Sequence, residues 1–328
     1  MNKLPIISLI LLLVAGCIED FDLNPGSAVP KMVVEALITN KPGPYLIRLT
    51  ESHTGKFVDP DFSNIDDAKG IINAEIIISD DVNQVDTLVP MVFNRDEYLY
   101  NYRLGYYKII YDGSGNIIDT VYWKYPVEFN PERGFYMTTH LRGIPGRTYF
   151  LKIVSEGKEY DSRSFMPEVP DIDSLGYIKK IMEKDGQEYY VPLIYFSEPQ
   201  GIKNYYLIQL EEEINSRLFS ETNWRFSILS DEFLESYVNG LNISLGSNPR
   251  NFEYPEYWAG DYIYVGLSSL TKEAYDFYNS LLLQFKNDGG AYQLSPSSPP
   301  TNMSNGALGF FRASAISERK IKIPYSFE

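Results

Sequence analysis

Residues 146–162, GRTYFLKIVSEGKEYDS, decide the fold. Tyr149, Leu151 and Ile153 alternate with Phe150, Lys152 and Val154, the two-residue period of a strand that buries one face, and the stretch as a whole reads as a hairpin. Upstream, GIINAEIIISD (70–80) sets Ile76 and Ile78 on one face with Ile77 opposing them. MVVEALIT (32–39) and YLIRLTES (45–52) are branched-rich strands joined through the turn residues Lys41-Pro42-Gly43-Pro44. Tyrosines dominate the block between: EYLYNYRLGYY (97–107) places Tyr98, Tyr100 and Tyr102 on one side, a turn at Asp112–Asn116 follows, and VYWKYPVEF (121–129) supplies another aromatic strand. Up to about Phe165 there is no long helix. Short strands punctuated by Gly and Pro predict a β-sandwich, immunoglobulin-like or transthyretin-like, over residues 31–166.

Pro167 and Pro170, in MPEVPDIDSLG, interrupt helix and sheet alike and mark a boundary. Residues 167–328 read as a second, β-rich unit with strands at YYVPLIYF (189–196) and KNYYLIQLEEE (203–213), so the chain as a whole is mainly β. Its one substantial helix is predicted over 271–287. Thr271 caps it, and Ala274, Phe277, Tyr278, Leu281, Leu282 and Phe285 share a side at helical spacing, with Phe277, Leu281 and Phe285 expected against a sheet. After a Ser/Pro loop, GALGFFRASAISERKIKI (306–323) returns as strand, with Gly306 and Gly309 predicted at tight backbone approaches.

The N-terminus carries an address. One basic residue, Lys3, precedes the apolar run LPIISLILLLVAG, which is shorter than the 17–25 residues a bilayer-spanning helix needs. It has the proportions of a signal peptide over residues 1–16. Val14-Ala15-Gly16-Cys17 resembles the lipobox of bacterial lipoproteins, in which the cysteine takes up acyl chains of the palmitate type. Cys17 is the only cysteine, which excludes an internal disulfide and leaves lipidation as its expected role. Residues 17–30 read as an acidic tether and linker. Glu19, Asp20 and Asp22 resemble the signal that sends Bacteroidetes lipoproteins to the outer face of the outer membrane; a merely solvated tether is the plainer alternative.

Composition excludes several classes. With 29 basic and 44 acidic residues the net charge is −15, and loss of Lys3 with the leader takes it to −16; no basic cluster appears in the sequence, so nucleic acid is excluded as a partner. The two histidines, His53 and His140, match no zinc motif, and no G-x-S-x-G elbow occurs. Asp59, Asp61, Ser63 and Asp67 space oxygen ligands as calcium loops do. Against calcium, Asn64 stands where an EF-hand needs glycine and no glutamate closes the loop, so an acidic solvated loop is the simpler account. No catalytic residues and no other cofactor are expected.

Aromatic side chains are the enriched functional candidates: 27 tyrosines and three tryptophans. One cluster spans Tyr98–Tyr125 and includes Trp123. The other, NFEYPEYWAGDYIYVG (251–266), includes Tyr254, Tyr257, Trp258 and Tyr262. Tyrosine suits stacking on a solute and packing at a protein interface, but alternating tyrosines also stabilise exposed sheet faces. Pro255 and Gly260 predict a loop in the second cluster, a usual place for recognition residues.

Several pieces together resemble one family: KMVVEALITNKPGPYLIRLTES (31–52), GIPGRTYFLKI (143–153) followed by VPDIDSL (169–175), KEAYDFYNSLLLQ (272–284) and PTNMSNGALGFFRASAIS (300–317). They resemble the DUF4249-type Bacteroidetes outer-membrane lipoproteins, the block Asn302–Ala313 most specifically. The resemblance implies a surface lipoprotein beside a TonB-dependent transporter, held on the outer membrane by its lipid and acting as an accessory or solute-binding partner. Two other roles compete, a structural or adhesive surface protein and a surface hydrolase. The chain does not resemble the helical SusD-like partner proteins.

Overall fold

The computed structural model describes residues 29–52, 69–91, 134–181, 186–210, 226–243, 257, 259–260, 262–286 and 299–325, with backbone alone for 106–111, 117–123 and residues 233, 285 and 286. Among them the chain is mostly β-strand, spread over several sheets, with one α-helix. Strands β1 (Met32–Thr39), β2 (Leu46–Glu51), β3 (Ala74–Asp80), β4 (Val85–Thr87) and β5 (Val89–Pro90) come first. The antiparallel pair β6 (Tyr106–Tyr111) and β7 (Ile117–Trp123) follows, then β8 (Phe135–Met137), β9 (Thr148–Ser155) and β10 (Lys158–Phe165). Beyond the prolines lie β11 (Ile172–Ile181), β12 (Glu188–Ser197), β13 (Tyr205–Gln209), β14 (Phe226–Ser230), β15 (Tyr237–Asn242) and β16 (Tyr262–Leu270). Helix α1 (Lys272–Lys286), β17 (Leu308–Ser314) and β18 (Ile316–Lys322) complete the order.

Two sheets, β17-β1-β2-β8-β5 and β10-β9-β3-β4, share the first core. The alternation read from sequence sets the faces. Tyr149, Leu151 and Ile153 of β9 are buried against Ile76 and Ile78 of β3, and Val34 and Ile38 of β1 with Ile47 and Leu49 of β2 face them. The β9–β10 hairpin turns at Glu156 and Gly157, both at positive φ, which matches the twist of the flanking strands. Buried tyrosines pin the loops: Tyr149 Oη accepts from the N–H of Ile144 at 2.6 Å, and Tyr45 Oη accepts from that of Gly143 at 3.0 Å.

A second pair of sheets, β11-β12-β15 and β14-β13-β16-β18, encloses the second core, which includes Ile194, Phe196, Tyr206, Ile208, Ile263 and Val265. The other face of β13 and β16 carries Leu207 and Leu270, covered by α1 through Ala274, Phe277, Tyr278 and Leu282. Thr271 caps the helix, its hydroxyl accepting from the N–H of Ala274 at 3.2 Å. Four residues of the expected face thus cover the sheet; Leu281, half-buried as they are except for buried Ala274, is outside this cluster, and Tyr275 joins it. The Phe285 side chain lies outside the described residues. Tyr275 joins through Tyr205 on β13, whose ring centroid lies 4.9 Å from its own.

The segment 299–315, read with the second unit, builds the first core. β17 pairs with β1 in parallel, Val33 against Leu308 through Thr39 against Ser314, and Met303, Ala307, Phe311, Ala313 and Ala315 pack beside Ile38 and Ile47. The reason is that β17 is buried from Phe310 to Ser314: Phe311 and Ala313 point into the first core, while Phe310 lies under α1 with Phe277 at 4.9 Å. Asn302 closes the joint by accepting from the N–H of Phe311 at 2.9 Å and donating to its carbonyl at 2.7 Å. Of the two glycines expected at tight approaches, only Gly309 is at one. A Cβ there would sit 2.0 Å from the Val34 carbonyl oxygen, whereas Gly306 has open space and supplies a turn at φ 74°.

Asp86 on β4 is fully buried, and its carboxylate gathers the N–H groups of Thr139, His140 and Leu141 and the Thr139 hydroxyl, all at 2.7–2.9 Å. Burial would raise its pKa, but these donors outweigh burial and hold it below the ordinary carboxylate value. Stability from Asp86 is therefore present above that ordinary value and lost as pH falls through the lowered one. Asp86→Asn should be less stable at neutral pH, and the gap to the parent should narrow as pH falls below the ordinary carboxylate value, as read by urea midpoints. A gap independent of pH would mean that the charge contributes nothing. For the joint, Gly309→Ala should cost about 2 kcal/mol or more, since it adds a clash to an unfavourable φ. Gly146→Ala, at φ 81° but with nothing within 4 Å, is the control and should cost about 1 kcal/mol.

Candidate functional site

The residues singled out from sequence divide three ways. Cys17, Glu19, Asp20, Asp22, the calcium candidates Asp59, Asp61, Ser63 and Asp67, and the aromatics Tyr254 and Trp258 lie outside the described residues. Trp123 ends β7, where the backbone alone is described. Tyr257 and Tyr262 are placed, in different settings. Tyr257 packs against the second core, its hydroxyl donating to the Leu210 carbonyl at 3.2 Å and its backbone bridging Tyr190, so its ring holds two sheets together. Tyr262 is 55% exposed at the start of β16.

The environment of Tyr262 is built by strand register. β16 and β18 run antiparallel with Tyr262 opposite Lys322 and Tyr264 opposite Lys320. Period-two alternation puts Tyr262, Tyr264, Lys320 and Lys322 on one face while Ile263 and Val265 enter the core. The Lys320 ammonium stands 4.5 Å from the Tyr262 ring centroid. Lys322 reaches both Tyr262, at 5.8 Å, and Tyr325, at 5.6 Å. Tyr325 is also 55% exposed and lies against Gly260, where a Cβ would come within 2.5 Å of the ring. Gly260 donates its N–H to the Ile323 carbonyl at 2.9 Å, which fixes that approach. Two exposed tyrosines and two exposed lysines thus share one surface on an acidic chain.

Sequence reading found Tyr262 but missed Lys320, Lys322 and Tyr325. Lysines two apart in K-I-K share a strand face, and that was the available signal; their tyrosine partner is set by the β16–β18 pairing, which no local pattern announces. Such lysines also guard an edge strand against foreign pairing, and β18 is an edge strand of its sheet.

Two buried acids carry perturbed pKa values without offering a reacting group. Asp86 is committed to its backbone donors; the Thr139 hydroxyl donates to it, and His140 contacts that hydroxyl through Nδ1 at 2.9 Å. Glu198, at the end of β12, is 4% exposed; Tyr206 Oη donates to both carboxylate oxygens at 2.9 and 3.0 Å, and Asn204 Nδ2 donates at 2.7 Å. Burial pushes Glu198 above the ordinary carboxylate range, Asp231 nearby adds to the rise, and the two donors offset only part of it. The same burial and the carboxylate raise Tyr206 strongly. Among the described residues, no three His, Cys, Asp or Glu side chains converge as metal ligands would, and no helix is long and apolar enough to cross a membrane. Around Tyr262 the described residues bring ring faces and ammonium groups together at an exposed surface.

The family described as "Domain of unknown function (DUF4249)" matches residues 18–320. No curated protein and no solved structure matches the chain.

Exposed cation–π pairs contribute about 0.5–1 kcal/mol each, so the surface adds little to the fold. Tyr262→Ala and Lys320→Ala should each shift unfolding free energy by less than about 1 kcal/mol in urea melts. A loss of several kcal/mol from either would assign these side chains to structure rather than to recognition.

Proposed function

The chain belongs to the DUF4249 family, and from that premise we propose that it is a surface-exposed outer-membrane lipoprotein serving a TonB-dependent transporter as an accessory, solute-binding partner. The address is supported by Val14-Ala15-Gly16-Cys17 and by the acidic run Glu19, Asp20 and Asp22. Binding is supported by one observation above the others: Tyr262, Lys320, Lys322 and Tyr325 form an exposed aromatic and cationic surface on a strongly acidic chain. Tyrosine supplies ring faces and a hydroxyl at low conformational cost, and lysine supplies charge, which suits recognition more than chemistry. The immunoglobulin-like or transthyretin-like assignment of the first sandwich is part of the same proposal, supported by short, mostly antiparallel strands in two facing sheets.

The structural or adhesive role makes a different use of the same surface, and co-purification separates the two. Cys17→Ser should abolish the acyl mass and release the protein from washed membranes. Replacing Glu19, Asp20 and Asp22 together with Ala should keep the acyl mass but shield the protein from protease added to intact cells. Tyr262→Ala combined with Lys320→Ala should leave lipidation and melting unchanged while reducing recovery of the transporter or uptake of its solute about tenfold or more. Undiminished transporter recovery and uptake, with cell–cell or matrix adhesion lost instead, would establish the adhesive role.

A further inference from the structure

Five large apolar side chains crowd one end of the sheet β10-β9-β3-β4. Phe150 (42% exposed) and Phe165 (45%) lie on its outer face with Val85 (52%). Register makes them neighbours: Val85 pairs with Ser79, Ser79 with Phe150 and Phe150 with Arg163, while Phe165 pairs with Thr148, the residue two before Phe150 on β9. Val82 in the β3–β4 turn and Ile144 in the loop entering β9 extend the surface, at 55% and 44% exposure. Only fifteen large apolar side chains are exposed among the described residues, so a third of them collect at this one place. Isolated exposed apolar residues need no explanation, but a contiguous group does.

We propose that this end of the sheet docks on a phospholipid bilayer surface, so that the anchored protein lies against its own membrane. The tether makes the occupant specific. β17 pairs with β1 in parallel, Ala313 stands opposite Ile38, and the Ala313 N–H is held by Ser164, next to Phe165; the apolar end therefore lies at the exit of β1. The tether enters at the other end of that eight-residue strand, roughly 26 Å away at about 3.3 Å per residue. From Cys17 to Lys31 the chain extends at most roughly 46–50 Å. A lipid-anchored chain therefore reaches the bilayer with this surface and keeps slack. The surrounding charges are mixed and do not select a strongly charged partner. Arg163 and Arg142 are exposed, Arg147 pairs with buried Asp80 at 3.2 Å, Lys152 pairs with Glu159 at 3.0 Å, and Asp81, Asp161 and Glu168 are acidic. Apolar insertion is therefore the driving term, with Arg163 placed beside Phe150 to meet lipid phosphate.

The inference rests on the lipid-anchor reading, and the test leaves the anchor out so that the two can fail separately. Full-length mature chain carrying Cys17→Ser is floated with phosphatidylcholine vesicles at high lipid, with and without phosphatidylglycerol and at low and high salt. It should rise with both vesicle types at both salt levels, and Phe150→Ser combined with Phe165→Ser should weaken partitioning about tenfold or more with melting unchanged. Because Cys17 is the sole cysteine, the same background gives unique labelling sites. An environment-sensitive dye at Phe150→Cys should shift to the blue on adding vesicles, and one at Lys158→Cys, at the far end of the hairpin, should not. Absence of flotation by the parent, equal partitioning of the double variant, or binding confined to phosphatidylglycerol and abolished by salt each overturns the proposal. So does loss of transporter recovery on the double substitution in a parent that never floats, which would give the surface to a protein.

Discussion

From Phe310 to Ser314 strand β17 has no solvent face, and both halves of the molecule depend on that. Its odd-numbered side chains, Phe311 and Ala313, complete the first core. Its even-numbered ones, Phe310 and Arg312, meet α1, with Arg312 over the Tyr278 ring at 5.2 Å. Burying a phenylalanine on each side contributes about 1.5–3 kcal/mol apiece, but the larger consequence is topological. A strand late in the chain pairs with the first strand described, so the first sheet is incomplete until the C-terminal block is in place. The 301–307 run extends the closure along β10, where Ser304, Asn305 and Asn302 bond to the backbone of Asp161, Glu159 and Arg163. An edge that would otherwise present unpaired backbone groups is covered.

What sequence could and could not reveal follows from the range of each interaction. The β9–β10 hairpin was legible because its two strands are adjacent in the chain and its alternation maps onto one buried face. The helix was legible in extent and in most of its packed face; the addition of Tyr275 was not, because its partner Tyr205 is on β13, which no heptad pattern encodes. The β1–β17 pair was not legible at all. Its traces were Gly309, which permits contact with the Val34 carbonyl, and Asn302, whose side-chain amide imitates a strand partner for Phe311. The same limit applied to the candidate site, where Tyr262 was named among the aromatic candidates but its lysines required the β16–β18 register.

Asp86 and Glu198 show how a strongly acidic chain accommodates buried carboxylates. Both are desolvated, and their pKa values move in opposite directions. Asp86 meets three backbone N–H groups that are fixed by the chain and have no better partner, so its ionised form is favoured. Glu198 meets one amide and one phenol, with Asp231 close enough to oppose ionisation. Neither donor is charged, and burial prevails. Number and rigidity of donors, rather than depth alone, decide the sign. The surface ion pairs, such as Lys179–Glu188 and Lys272–Asp276, are exposed and i,i+4 or cross-strand in kind, and solvent screens them, so the two cores and not these pairs hold the fold.

The extent of the family match has a physical meaning in this topology. It runs from residue 18 to residue 320, ending inside β18, and so takes in both cores together. Contacts also join the two cores across the Pro167–Pro170 segment. Val169 packs against the first core and the second, Ser269 accepts from the Ala315 N–H at 3.0 Å, and Ser314 donates to the Ser269 carbonyl at 2.6 Å. Asn40 brackets Ile316 with both ends of its amide, and Lys41 pairs with Glu318 at 3.0 Å. The chain leaves the second sandwich, builds the edge of the first and returns to build the edge of the second within Leu308–Lys322. That continuous stretch bears Phe311 in one core and, eleven residues on, Lys322 beside the exposed tyrosines. The strand that locks the fold and the strand that carries the candidate binding surface are thus joined by a single residue, Ala315, so one short stretch supplies an edge to each sandwich.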